Sequence, residues 1–184
     1  MKLLRHSRLA STQDEARRLA GAGAASGTVV WALRQTRGRG REDRRWLSPP
    51  GGLYFSLIAR PRMDPRGLAK LSLRIGRVLA EVLGRCGVAT KVKRPNDVLA
   101  RPHPPLEGRV REWRKLAGIL IEARSSGSGV DWVVIGVGVN VNNEPPIETA
   151  SSLIGLTGRK RALEPLLRRC AGAILHTKPI HLRV

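Results

Sequence analysis

Cysteine is scarce in this chain, and the two it has cannot build a metal centre. Cys86 and Cys170 stand far apart, and no Cys-x-x-Cys spacing occurs, which argues against a zinc site. They read as two buried free thiols in a reducing compartment. Aromatic residues make up only 3%, with one Tyr and one Phe, so the core has to be Leu, Val, Ile and Ala. No stretch approaches the roughly 20 apolar residues that span a bilayer. Met1 to Ala10 is basic but lacks the apolar run of a signal peptide. These absences predict a cytoplasmic protein with no membrane partner. The four histidines (His6, His103, His176, His181) show no metal-ligand spacing. Neither a Gly-x-Ser-x-Gly elbow nor a Gly-x-x-x-x-Gly-Lys-Ser/Thr phosphate loop is present. Common acid–base and covalent machinery is therefore missing.

Positive charge is abundant. The net charge is +20, and 27 of the 34 basic residues are arginine. They run from Arg5 to Arg183 instead of clustering on one element, which is unlike a dedicated nucleic-acid footprint. The field would still attract ATP, acidic carrier proteins and, without specificity, nucleic acid. A length of 184 residues at 41% hydrophobic suits one domain with a real core.

Along the chain, Lys2–Leu9 is a short strand or lead-in. Thr12 and Glu15 have capping-box spacing ahead of a helix that Gly21 and Gly23 end. Thr28–Thr36 and Leu53–Ile58 read as strands. Leu68, Leu71, Ile75, Val78, Leu79, Val82 and Leu83 mark a helix over 66–85. Thr90–Arg94 is a strand ended by Pro95, and Asn96-Asp97 form a turn. Arg101–Arg114, with three prolines, reads as a mobile insertion. Lys115–Glu122 and Asp131–Val141 are apolar strands joined by a hairpin at 125–129. Gly136 and Gly138 imply a bulge or a close approach within the second of these. A last helix spans 162–175. The pattern predicts an α/β (α+β) fold: a mixed, largely antiparallel sheet with packed helices.

Gln35 to Trp46 is the most distinctive stretch. Two glycines sit among five arginines in a loop between strands. Glycine permits close backbone approach, and arginine offers a planar fork of donors to carboxylate or phosphate. The loop reads equally as an anion clamp or as a solvated basic loop. Lys93, Lys115 and Asn96-Asp97 stand at strand ends. Such a set suits joining a carboxylate to the α-phosphate of ATP, where alignment and charge neutralisation suffice with Mg²⁺. Asp97 is the metal-facing carboxylate in that reading. Taken singly, Asn96-Asp97 also fits a plain turn, Lys115 a snorkelling lysine and Ser11-Thr12 a helix cap.

Together these motifs resemble the biotin–protein ligase family. The residues that carry the match are Ser11-Thr12-Gln13-Asp14-Glu15-Ala16, Gln35-Thr36-Arg37-Gly38-Arg39-Gly40-Arg41 with Arg44 and Trp46, and Ser48-Pro49-Pro50-Gly51-Gly52-Leu53-Tyr54. Lys93 with Pro95-Asn96-Asp97, Lys115-Leu116-Ala117-Gly118-Ile119-Leu120, and Gly136-Val137-Gly138-Val139-Asn140 complete it. The resemblance implies a class II aminoacyl-tRNA synthetase-like, biotin ligase catalytic fold over 1–176, with a basic tail at 177–184. In departure from the usual family pattern, no SH3-like barrel is expected after the domain, and no helix-turn-helix is expected before Ser11. It implies ATP-dependent activation of biotin to biotinyl-5′-AMP with Mg²⁺, then transfer to a lysine of a biotin carboxyl carrier domain. By that resemblance Ser11, Thr12, Gln13, Gln35, Arg39, Gly40, Arg41, Lys115 and Gly118 bind biotin. Arg41, Arg44, Trp46, Lys93, Asn96, Asp97 and Asn140 serve ATP, Asp97 serves the metal, and Lys115 and Arg39 are catalytic. The arginine loop is expected to order when ligand binds.

The chain departs from the family pattern at several points. Arg94 stands where the family has Trp. Glu42-Asp43 place two negative charges in the loop, where they would pair with Arg44 and Arg45 or weaken adenylate retention. The Arg101–Arg114 insertion is long. A lipoate or octanoate ligase or transferase of the same superfold, and a degenerate basic binding module, are the competing readings. No specific nucleic acid is expected, and a homodimer stays open.

Overall fold

The computed structural model describes residues 1–103, 112–127 and 129–178. Most of the predicted insertion (104–111) and of the basic tail (179–184) lies outside the described residues. Seven strands form one sheet: β1 (Lys2–His6), β2 (Thr28–Ala32), β3 (Leu53–Ala59), β4 (Val88–Lys93), β5 (Asp97–Pro102), β6 (Arg114–Ser126) and β7 (Gly129–Val139), in the order β1-β2-β3-β7-β6-β5-β4. Among the described strands only β1 and β2 run parallel; every other neighbouring pair is antiparallel. The mixed, largely antiparallel sheet matches the expectation from sequence. The helices are α1 (Thr12–Gly21), α2 (Leu68–Gly84), α3 (Leu153–Thr157) and α4 (Leu163–Leu175).

Strand periodicity sorts the side chains onto two faces. Phe55 and Leu57 of β3, Val133, Ile135 and Val137 of β7, and Ala117 and Ile119 of β6 point to the main core, which α2 and α4 cover through Leu71, Ile75, Leu79, Leu167, Cys170 and Ile174. Alternate residues point the other way. There α1 lays Ala16 and Ala20 over Val30, Ile58, Trp132 and Val134. Beyond α1, the same face carries Ser56, Gly118, Leu120, Gly136 and Gly138. Helix α1 is only ten residues long and leaves that end of the sheet to the loops.

Several local expectations are corrected. Ser11, not a Thr12–Glu15 box, caps α1: its Oγ accepts from the N–H of Gln13 (3.2 Å) and of Asp14 (3.3 Å). The helix dipole meets Asp14 and Glu15 in its first turn. Strand β2 stops at Ala32, where its pairing with β3 ends; Leu33 and the residues after it keep running alongside β1 and the segment that follows it, through Leu33 N–H to His6 O and Thr36 N–H to Leu9 O. A 3-10 turn at Pro65–Gly67 precedes α2, so the helix proper starts at Leu68. Asp97 opens β5 opposite Lys93, and Arg101-Pro102 continue that strand. Arg114 already belongs to β6, so the insertion is shorter than 101–114. Trp113 packs its ring under Lys91 (4.4 Å) and Arg101 (4.8 Å), anchoring the return. Helix α3, capped by Ser152 and ended by Gly158 at φ +71°, is too short to show a periodic pattern.

Candidate active site

The Arg-Gly loop is folded. It forms a small hairpin: Arg39 bridges Arg45, Gly40 N–H donates to Arg44 O (2.7 Å), and Trp46 N–H to Gly38 O (2.9 Å). Its tip is Arg41–Arg44, with Glu42 at φ 54°, Asp43 at φ 57° and Arg44 N–H on Arg41 O. That is the geometry of a primed turn, which glycine adopts without strain and Glu and Asp do not. The loop thus takes the form of a closed hairpin. Glu42 pairs with Arg44 (2.8 Å) and Arg41 (3.5 Å), so one loop carboxylate offsets two of the loop's cations; the expected pairing with Arg45 does not form.

Beneath this hairpin lies a small cavity of about 30 Å³. Thr12, Gln13, Gln35, Arg39, Trp46, Ser56, Gly118, Leu120, Gly136, Val137 and Gly138 line it, bringing together residues from α1, β3, β6, β7 and the loop. The polar groups of this cavity are wired in one direction. Gln35 Oε1 accepts both Thr12 N–H (2.7 Å) and Thr12 Oγ1–H (3.0 Å). Gln35 Nε2 donates to Ser48 Oγ (2.8 Å), whose own proton goes to Trp46 O (3.1 Å). Gln13 Nε2 donates to Glu122 Oε2 (2.9 Å) and Val134 O (3.3 Å). Ser56 Oγ lies 3.0 Å from Thr12 Oγ1 and 3.1 Å from Gln13 Oε1. An amide has two N–H donors and one oxygen with two lone pairs. Gln35 thus has its acceptor filled and one donor to spare. Gln13 has both donors filled and acceptor capacity to spare. The cavity offers one amide donor and one amide acceptor side by side.

The floor is made by absent side chains. Gly118 and Gly138 are register partners on β6 and β7, and Trp46 lies flat on them. A Cβ on Gly138 would stand 2.4 Å from Trp46 Cε2, and one on Gly118 2.7 Å from Cζ3. The glycines within the strand therefore serve a close approach, by an indole, and no bulge occurs at them. The Trp46 indole N–H is buried without a partner. Lys115 Nζ stands 5.3 Å from the centre of that ring and 2.8 Å from Asp97 Oδ1. The Lys115–Asp97 approach falls outside hydrogen-bond angles, so it is an ion pair, and Asp97 Oδ1 is left buried without a hydrogen-bond donor.

Arg39 closes the other side. Its Nη1 meets Asp14 (2.9 Å) and its Nη2 meets Glu122 (3.0 Å). Partial burial works against its charge. The Asp14 hydrogen bond and the fields of Glu122 and Asp14 outweigh that, so its pKa is raised. Gly40 and Arg41 line an open outer groove of about 740 Å³ with Arg39, Leu68, Ser72, Pro95 and Ile119–Ala123.

The sequence-predicted residues divide accordingly. Thr12, Gln13, Gln35, Arg39, Trp46 and Gly118 share one cavity, and Lys115 with Asp97 stands beside it. Ser11 sits behind it as the α1 cap. Arg41 and Arg44 point to the exposed tip. Lys93 is exposed opposite Asp97. Asn96 fastens β6, donating from Nδ2 to Ile119 O (2.8 Å) while its own carbonyl accepts Ile119 N–H (3.0 Å). Asn140 is buried past the end of β7 and accepts from Asn143 (3.0 Å), outside the cavity. Ser48, Ser56, Glu122 and Asp14 belong to the network but carried no site prediction. A serine within an otherwise apolar and aromatic strand is the signal that marks Ser56. Glu122 shows only as the charge that ends an apolar run.

The likenesses to known proteins agree with this arrangement. The biotin/lipoate A/B protein ligase family matches residues 7–140. The bifunctional ligase/repressor BirA of Bacillus subtilis is 38% identical over 145 residues, 78% of this chain and 41% of its own length. The biotin–[acetyl-CoA-carboxylase] ligase of Paracoccus denitrificans is 39% identical over 142 residues, 76% of this chain and 54% of its own. The chain therefore spans about half or less of these relatives. The structure of an Aquifex aeolicus biotin protein ligase in complex with biotin and ATP superposes with a TM-score of 0.74 at 30% identity, covering 95% of this chain and 69% of that one. With the family's motifs gathered on one face of its sheet, this chain belongs to the biotin/lipoate A/B protein ligase family.

Proposed function

We propose that this chain is the catalytic domain of an ATP-dependent biotin–protein ligase, acting on a biotin carboxyl carrier domain. The observation that carries the reading is the spare donor of Gln35 beside the spare acceptor of Gln13. A cyclic urea presents a C=O and N–H groups and satisfies both. A lipoyl or octanoyl chain satisfies neither and leaves two buried polar groups unpaired, each costing about 1–3 kcal/mol. This favours biotin over the fatty-acyl ligands of the wider family.

In this reading biotin lies with its ring among Gln13, Gln35, Thr12 and Ser56 and its carboxylate toward Lys115. A carboxylate oxygen attacks the α-phosphorus of ATP, and pyrophosphate leaves with the electron pair of the broken P–O bond. The Lys115 ammonium offsets the repulsion between the two anions. The amine of an acceptor lysine then attacks the acyl carbon, AMP departs and the amine loses a proton. Trp46 and the hairpin exclude water from the mixed anhydride. Asp97 is the carboxylate that would hold Mg²⁺: its Oδ1 has no hydrogen-bond donor and would exchange its ion pair with Lys115 (2.8 Å) for the metal, which is commonly held by one or two carboxylates plus substrate phosphates. Among the described residues no group of three or more His, Cys, Asp or Glu could cage a metal alone. When bound, the metal would supply charge neutralisation on the phosphates. Arg41 and Arg44 are the loop cations that would serve the nucleotide once released from Glu42.

The test is direct. Incubation with biotin, ATP labelled at the α-phosphate and Mg²⁺ is expected to yield biotinyl-AMP, and biotin is expected to raise the melting temperature. Neither product nor thermal shift would sink the reading; activity with octanoate alone would move it to the fatty-acyl branch.

A further inference from the structure

We infer that Glu122 is a positioning residue that sets the hydrogen-bonding polarity of the ligand cavity. The inference rests on the biotin reading and names how this chain holds its ligand-facing amide. An ionised carboxylate only accepts hydrogen bonds. Glu122 Oε2 therefore dictates that Gln13 turn its Nε2 inward, at 2.9 Å, where the second N–H meets Val134 O. The amide oxygen is what remains for Ser56 and the ligand. Gly136 makes room for this orientation: a Cβ there would stand 2.4 Å from Gln13 Oε1. The other carboxylate oxygen of Glu122 receives Arg39 Nη2 at 3.0 Å. One side chain thus supports the cavity floor and the loop that covers it. Its two oxygens have two charge-assisted donors, and its side chain is 22% exposed, so water competes only in part.

A glutamine at 122 breaks this arrangement without changing its shape. An amide has one oxygen for the two donors, Gln13 Nε2 and Arg39. Either Arg39 faces an N–H, or Gln13 flips and points a donor into a cavity where Gln35 already donates. A ligand N–H then has no acceptor.

The experiment compares wild type, Glu122→Gln, Gln13→Ala and the double variant by titration calorimetry with biotin and by steady-state adenylation. Glu122→Gln is expected to raise the biotin Kd and KM roughly tenfold or more, the weight of a hydrogen bond to a charged group. Because the urea end is remote from the reacting carboxylate, kcat at saturating biotin should change less than about threefold. In the Gln13→Ala background the same substitution should add less than about twofold. In an Arg39→Ala background the full loss should persist, which separates the cavity from the loop. An unchanged Kd, an equal loss in the Gln13→Ala background, or a loss that vanishes with Arg39→Ala would overturn the inference. Wild-type protein that fails to bind biotin would instead overturn the function it rests on.

Discussion

Gly138→Ala tests whether the floor of the cavity is defined by what it lacks. The new Cβ would stand 2.4 Å from Trp46 Cε2 and 2.6 Å from Nε1, closer than real Cβ atoms come. Something must shift. The sheet floor is held on both sides, since Gly138 pairs with Tyr54 on β3 and with Gly118 on β6. Trp46 belongs to a loop hairpin and is only part-buried, so the indole moves. Displacing it uncovers on the order of 50 Å² of apolar contact, about 1 kcal/mol at 25 cal/mol per Å². Replacing a strand glycine by alanine returns about 0.5–1 kcal/mol through lower unfolded-state entropy. The two nearly cancel, so unfolding in urea should show a change within about 1 kcal/mol, or roughly 2–4 °C in Tm. Ligand binding has no such compensation. The indole that lines and covers the cavity is misplaced, so biotin affinity should fall at least about tenfold by calorimetry. A Tm drop of 10 °C would mean that the sheet, not the indole, yields. An unchanged biotin Kd would mean that the position of the indole on the glycine pair does not matter to the ligand. Either result refutes the reasoning.

Other consequences are quickly checked. Lys115→Ala should lower the adenylation rate by about 10² or more if its ammonium stabilises the developing charge, with a far smaller change in biotin Kd; a rate near wild type would leave Lys115 a partner of Asp97 alone. Burial, with Cys86 nearby and Arg169 opposing, pushes the Cys170 thiol up to about 12. The folded protein should therefore resist a thiol reagent at pH 8 and react only on unfolding. The unfolded thiol ionises near 9, so the folded form keeps its proton longer, and this group's contribution to stability falls as pH rises from about 9 toward 12. Glu42→Gly removes the partner of Arg41 and Arg44 and supplies the residue suited to φ 54°. It should slow loss of bound adenylate by about threefold, the scale of an exposed ion pair, when followed by single-turnover chase; a faster loss would show that Glu42 holds the tip in place.

The strands and long helices were legible because burial imposes a period. The near-continuous apolar runs in Lys115–Glu122 and 131–141, and the three- and four-residue stripe of α2, are each one-dimensional traces of burial against a core. Boundaries were less legible. Nothing local says that β2 stops at Ala32, since its end is decided by where its pairing with β3 ends. Ser11 over Thr12 as cap is likewise a choice between neighbours that only geometry makes. Thr12 is drawn away because its hydroxyl has a better partner in Gln35, 23 residues on.

By itself, the sequence determined the element types, the mixed sheet and the motif set that marks the family, because these depend on local backbone preference and apolar period. The tertiary structure alone decided which motif residues meet. It set Gly118 opposite Gly138, laid Trp46 on the pair, and joined Glu122 to Gln13 across 109 residues of chain. It also placed Asn96 and Asn140 in supporting bonds away from the cavity. The reason is physical: a hydrogen bond has a donor, an acceptor and a direction, and none of the three is fixed until the sheet brings the two ends together.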